Sequence, residues 1–312
     1  MAGDRDEAGR VSWQLRLLNR LLRRVVRPRL QATETPTVAA AEFAGFARRC
    51  LRRPPYLLRL RSPGAPDIHW ITAGPVARRG VTLYFHGGAY IAGSPRTHQG
   101  MLGRISALSR LRVAAPAYRL APAHPAPAQF EDALAAHAAL LDLGYRPGEI
   151  LLGGDSAGGG LALALLADLC ARDLRPAGLF AFSPWVDLTL QSESLVTNAG
   201  RDPFLSADRV PEVVDYATGG FDASDWRISP IFATFDAPPP VRLHVGTTEI
   251  LRDDALRMKA HLRRCGADVS LRQWPQTPHI WPIYDGYLPE AREALRDVAG
   301  FARERLDDAL RP

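Results

Sequence analysis

From about Pro66 onward the chain alternates between two apolar rhythms. Short runs rich in branched and aromatic residues read as strands: Ile68–Ile71, Val81–Phe85, Arg112–Ala115, Glu149–Gly153, Gly178–Phe182, Val241–Val245 and Val269–Gln273. Between most of them lie stretches with helical spacing, at Gln99–Ser109, Phe130–Leu143, Ala157–Ala171, Asp253–Cys265 and Pro289–Leu310. The strand runs lack a clean polar and apolar alternation, which points to burial on both faces. Such strands interleaved with helices specify an α/β fold with a mostly parallel sheet covered on both sides. The interval Leu188–Ala237 breaks the rhythm. It is polar, turn-rich and too long for a plain loop, so it reads as a partly helical excursion over the carboxyl edge of the sheet.

Upstream the pattern is different. In residues 13–27 Leu17, Leu18, Leu21, Leu22, Val25 and Val26 recur every four positions, and Arg16, Arg20, Arg23, Arg24 and Arg27 fill the rest. This is an amphipathic helix, with Pro28 as its expected stop. A second helix is expected over Glu34–Pro55, ended by the Pro54-Pro55 pair. The first helix fits packing on the domain or capping of a pocket. A membrane-surface role, with arginines facing anionic lipid, is compatible with that.

Composition changes the picture only locally. At 312 residues, 46% apolar and 23% charged, the chain has the make-up of a soluble globular enzyme. The net charge of +6 is unevenly spread: residues 1–61 hold 14 arginines against 5 acids, and the remainder holds 25 basic against 28 acidic residues. Lys259 is the only lysine, a skew that reflects coding bias. The main domain shows no basic face interleaved with aromatics, so no nucleic-acid partner is expected. Cys50, Cys170 and Cys265 are an odd number at wide spacing, which argues against a disulfide framework and fits a reducing compartment. The N-terminal MAGDRDEAGR carries both signs of charge without an apolar stretch behind it, unlike a secretory signal, and no run approaches a membrane span. The expected location is cytoplasmic.

The candidate chemistry lies in GDSAG, Gly154 to Gly158. A buried-strand run precedes it and a helical run follows. A strand turning sharply into a helix forces Ser156 into a strained backbone and lifts its hydroxyl above the sheet. Such a serine needs a base, and the base needs a carboxylate to hold its tautomer, in the chain order Ser, acid, His. Of the downstream histidines, His244 falls inside a strand and His261 inside a helix, whereas His279 sits in a proline-punctuated loop after the last strand. His279 is the expected base. Glu249 falls in the loop after the preceding strand and is the leading acid, with Asp253 as the alternative. Asp253 and Asp254 otherwise read as dipole partners in the first turn of the next helix. Earlier, HGG at His86–Gly88 turns the chain at the end of a strand. Its Gly87 and Gly88 amides, with that of Ala157, are expected to receive an oxyanion, and His86 to buttress the loop. Tyr90, Trp185, Phe204, Leu205, Ile280 and Trp281 are candidate pocket walls.

HGGAY, YRLAPAHPAPA, GDSAGG and the Pro-His loop together resemble the hormone-sensitive-lipase-like family of α/β-hydrolase esterases, over roughly residues 65–290. DWRISPIFA, Asp225 to Ala233, is similar to that family's segment before the acid strand. The resemblance implies an α/β-hydrolase fold with an eight-stranded sheet. It also implies cap helices at residues 1–60, a catalytic domain at 61–312 and a cap excursion at about 188–237. Its implied activity is serine carboxylesterase hydrolysis of short-to-medium acyl esters, lactones or acetyl esters of small molecules, without metal or organic cofactor. Amide hydrolysis with the same triad, or small-molecule binding without catalysis, are the alternatives, and a homodimer stays open. Two positions depart from the family pattern: Ala123 stands where glutamate is frequent, and Glu249 where many members use aspartate.

Overall fold

The computed structural model describes residues 11–76 and 79–308. The N-terminal decapeptide read above as unlike a signal lies outside them, as do the last residues of the helix expected to reach Leu310. Eight strands form one sheet: β1 Leu57–Ser62, β2 Ile68–Ala73, β3 Val81–Phe85, β4 Arg112–Pro116, β5 Ile150–Asp155, β6 Gly178–Phe182, β7 Val241–Gly246 and β8 Val269–Trp274. Their spatial order is β1-β2-β4-β3-β5-β6-β7-β8. β1 and β2, and β2 and β4, pair antiparallel; every other neighbouring pair is parallel.

The helices are α1 Trp13–Leu21, α2 Arg27–Ala32, α3 Pro36–Cys50, α4 Pro95–Ser109, α5 Ala128–Asp142, α6 Ala157–Ala171, α7 Ser194–Thr197, α8 Val210–Thr218, α9 Arg252–Arg264 and α10 Pro289–Asp308. Successive strand residues point to opposite faces, so an unbroken apolar run serves two cores. Leu83, Phe85, Leu152 and Ala181 face α5, α6 and α9, while Tyr84, Leu151, Phe180 and Phe182 face α4 and α10. Each such side chain contributes about 1.5–3 kcal/mol on full burial. In α6 every residue but Asp168 and Ala171 is buried, which is why its sequence lacks a polar face. Leu15 and Leu22 anchor the N-terminal helices on the α4 and α10 side.

Three expectations need correction. β1 was not expected: LLRLRS at Leu57–Ser62 alternates leucine with arginine, and as an outer strand with one neighbour it buries little. Because it belongs to the sheet, the division at residue 61 falls inside a strand. Pro28 does not stop the N-terminal helix. A π-helical turn at Leu22–Val26 restarts the hydrogen-bond ladder, so Pro28 falls in the first turn of α2, where its missing N–H costs nothing. The second helix is shorter than expected, capped by the Thr35 hydroxyl and ending at Cys50. The interval 188–237 contains α7, α8 and two 3₁₀ turns.

Candidate active site

Ser156 occupies the single residue between β5 and α6, with φ 54° and ψ −127°. That backbone is costly for a residue with a side chain. It is held by neighbours: the Ser156 amide donates to the Phe182 carbonyl at 2.9 Å, and the Ser156 carbonyl accepts from Gly160 and Trp185 at 3.1 and 3.0 Å. Gly158 is required because the carbonyl oxygens of Phe85 and His86 lie where a Cβ would stand. The strand end and helix start are thereby pressed together, and the hydroxyl is presented at the carboxyl edge of the sheet.

The loop after β8 brings the His279 Nε2 to 2.9 Å from Ser156 Oγ. The loop after β7 brings Glu249 Oε2 to 2.7 Å from His279 Nδ1. Glu249 is fully buried, and its Oε1 accepts from the Ser183 hydroxyl at 2.8 Å and the Gly246 amide at 2.5 Å. Two donors on one oxygen leave the other for the Nδ1–H of His279. The Nε2 lone pair then faces the serine hydroxyl. Of the two acid candidates only Glu249 contacts His279, since Asp253 pairs with Arg252 at 2.7 Å. Asp254 is more than a dipole partner. It is buried, and accepts from the amides of Val186 and Asp187 and from the Ser192 hydroxyl. Burial pushes its carboxyl up to about 7. His244 is enclosed in the core, accepting at Nδ1 from the Trp274 indole, and His261, on α9, meets the carbonyl of Ala233 in the excursion.

Sequence reasoning missed the residues that fasten this arrangement. Ser183 directly follows β6. Asn198 donates to the carbonyls of Thr247 and Glu249, and Asp202 accepts from the amides of Phe204, Leu205 and Ile250. Burial, then the nearby Glu249 charge, raises the Asp202 carboxyl. Arg27 of α2 donates to the carbonyls of Ala199 and Asp202, which ties the N-terminal helices to the same turn. The available signal was positional: polar residues at the carboxyl ends of central parallel strands gather around one crevice.

The His86–Gly88 turn lies beside Ser156. His86 is stacked on Tyr118 at 4.4 Å, and its carbonyl accepts from the Tyr118 hydroxyl at 2.6 Å. Burial, then the neighbouring His98, depresses the His86 imidazole to about 3, so it is neutral. Asp155, next to Ser156, meets the Tyr84 hydroxyl at 2.8 Å and His98 Nε2 at 3.3 Å. Burial pushes this carboxyl up, and His98 and Tyr84 outweigh it to leave the group below its ordinary range.

Ser156 and His279 open onto a cavity of about 550 Å³, within the usual range for small-molecule sites. Trp185, Phe204, Leu205 and Ile280 line it as expected, together with residues of α2, α3 and α8. Three site expectations are revised. Gly87 does not line the cavity, its side-chain position being closed off by Asp155, where a Cβ would strike the carboxylate; Gly88 and Ala89 do. Tyr90 is buried at φ 63°, its ring turned beneath Trp185 and its hydroxyl unpartnered. Trp281 is turned by the left-handed Ile280 into the core, against Trp274 and Phe182. The Ala157 amide sits at the free N-terminus of α6. Among the described residues no group of three or more His, Cys, Asp or Glu side chains is arranged to hold a metal ion, and no helix is long and apolar enough to cross a membrane.

Residues 82–283 match the family defined by the α/β-hydrolase fold. An acetyl-hydrolase of Streptomyces hygroscopicus is 35% identical over 252 residues, covering 80% of this chain and 83% of that protein. An esterase of Acinetobacter venetianus is 35% identical over 222 residues, covering 70% and 73%. Among solved structures, an esterase from the bacterial hormone-sensitive lipase family superposes with a TM-score of 0.89 at 33% identity, covering 96% of this chain and 100% of that one. A structure of EstE5 soaked by p-nitrophenyl butyrate superposes with a TM-score of 0.87 at 33% identity, covering 95% and 99%. The motifs, the eight-stranded sheet and these likenesses agree: the chain belongs to the hormone-sensitive-lipase-like family of α/β-hydrolase esterases.

Proposed function

We propose that Ser156, His279 and Glu249 form the catalytic triad of a serine carboxylesterase acting on short-to-medium acyl esters of small molecules. The chain is a carboxylic ester hydrolase by family. The observation that carries the finer reading is the unbroken hydrogen-bonded line from Ser156 Oγ through both nitrogens of His279 to a carboxylate held at its other oxygen. His279 takes the hydroxyl proton as Ser156 attacks the ester carbonyl, and Glu249 stabilises the imidazolium. The oxyanion is received by the amides of Gly88, Ala89 and Ala157, each donor being worth about 3 kcal/mol of barrier. His279 then gives its proton to the leaving alcohol. Water, deprotonated by the same imidazole, hydrolyses the acyl-enzyme and restores the serine.

The apolar walls favour an ester whose acyl or alcohol part is hydrocarbon. Helices α2 and α3 and the excursion at 188–237 act as a cap over the sheet's carboxyl edge, a reading supported by their share of the cavity wall. The test is a panel of p-nitrophenyl esters from acetate to palmitate, run on the wild type and on Ser156→Ala. The wild type hydrolyses the shorter members, and the variant loses at least about 10³-fold. Hydrolysis of none of them faster than by the variant would overturn the assignment.

A further inference from the structure

Helix α1, continued by the π-helical turn at Leu22–Val26, has two apolar faces, and only one of them is used. Leu15 and Leu22 are buried against the domain, whereas Trp13, Leu17, Leu21 and Val25 are 68%, 57%, 52% and 37% exposed. These four recur every four residues and therefore form a single ridge on the outer side of the helix. Scattered exposed leucines need no explanation, but an unbroken ridge headed by a tryptophan does. The next ridge, three residues on from each of the first three, is Arg16, Arg20 and Arg24. All three are exposed and meet no acid among the described residues. Arg23 and Arg27 are instead turned inward onto the carbonyls of Arg201, Ala199 and Asp202, which fixes the rotation of the helix. From Val11 to Thr33 the chain carries six arginines and no acid.

We infer that this outer face of α1 and the turn that continues it docks on an anionic lipid bilayer. The ridge of Trp13, Leu17 and Leu21 enters the headgroup boundary, and the guanidinium groups of Arg16, Arg20 and Arg24 pair with lipid phosphates. Such a helix lies in the interface plane and draws its affinity from both buried apolar area and anionic charge. The uniform sign of the charge argues against a second copy of this chain as occupant, since two such faces would bring like charges together. The exposed ridge ends at Val25, and the cavity wall begins at Val26. A docked helix is therefore continuous with the cavity, and water-insoluble esters held in the bilayer have a short route to Ser156. Docking itself needs no catalysis, while delivery of ester to the cavity rests on the hydrolase reading above.

The test is sedimentation of the full chain with vesicles of phosphatidylcholine alone or in equal parts with phosphatidylglycerol. The wild type pellets with the mixed vesicles and is released by high salt. The combined Trp13→Ser, Leu17→Ser and Leu21→Ser variant binds at least about tenfold more weakly, and so does the combined Arg16→Gln, Arg20→Gln and Arg24→Gln variant. Both keep wild-type hydrolysis of a soluble ester without vesicles, which shows that they are folded. Docking is overturned if the wild type stays in the supernatant, if both vesicle types bind it equally, or if the ridge variant changes only the oligomeric state. Any of these with soluble-ester hydrolysis intact leaves the hydrolase reading standing.

Discussion

The Ser183 hydroxyl lies 2.8 Å from Glu249 Oε1, so the carboxylate facing His279 is restrained at both of its oxygens. Ser183 itself has φ 48° and follows β6 directly, a strained position that aims the hydroxyl at the acid. The Glu249 carboxylate is thus positioned by the sheet, through a residue that lines no part of the cavity. Ser183→Ala should lower kcat about 10- to 100-fold with little change in KM, because the positioning of the acid is lost and the cavity wall is not. Steady-state kinetics on a soluble ester check this. A matched rise in KM with kcat unchanged would mean that Ser183 serves substrate binding instead.

Gly88 has φ 126°, and a Cβ there would strike the carbonyl of Ala92. Gly88→Ala therefore has to move the turn that presents the Gly88 and Ala89 amides. We expect a loss of at least about 10²-fold in kcat, from misplaced oxyanion donors. Thermal unfolding should show a cost of about 1–3 kcal/mol. Unchanged kcat would remove this turn from the mechanism.

Asp254 gives a pH-dependent prediction. Its carboxyl stands at about 7 in the folded chain, against an ordinary 3.8, with burial as the main cause. The native state keeps a proton that the unfolded chain gives up, so this group's contribution to stability falls as pH rises from about 4 to about 7. Asp254→Asn mimics the protonated form and can still serve the Val186 and Asp187 amides. The variant should match the wild type only near pH 4 and below, and unfold at a higher temperature than it at pH 8. His86, depressed to about 3 by burial and His98, acts in the opposite sense: its contribution is complete above about 6.5 and is lost as pH falls toward 3. Melting temperatures across pH for wild type and Asp254→Asn separate the two effects.

Much of the sheet and of the site's chemistry was legible because both rest on local signals. The runs from Val81 to Phe85 and from Ile150 to Asp155 are apolar on both faces, which only central strands require. The turn at Ser156 is announced by its flanking glycines. β1 escaped because an edge strand needs no continuous apolar run, and its arginines read as part of the basic N-terminal region. Tyr90 and Trp281 were expected as pocket walls and do not line the cavity, because their directions depend on left-handed backbone at Tyr90 and Ile280 that no apolar pattern encodes. Ser183, Asn198 and Asp202 act through neighbours distant in the chain, so their roles appear only once the strands are assembled.

The central claim is that Ser156 is the nucleophile, activated by His279. A p-nitrophenyl alkylphosphonate tests it most directly, since the reagent places a tetrahedral, negatively polarised oxygen where the ester's oxyanion would stand. Peptide mass spectrometry after inactivation should find one adduct, on Ser156, rising in step with loss of activity, and no adduct in His279→Ala over the same time. Complete inactivation with the label on another residue, or hydrolysis that persists after Ser156 is fully labelled, would contradict it.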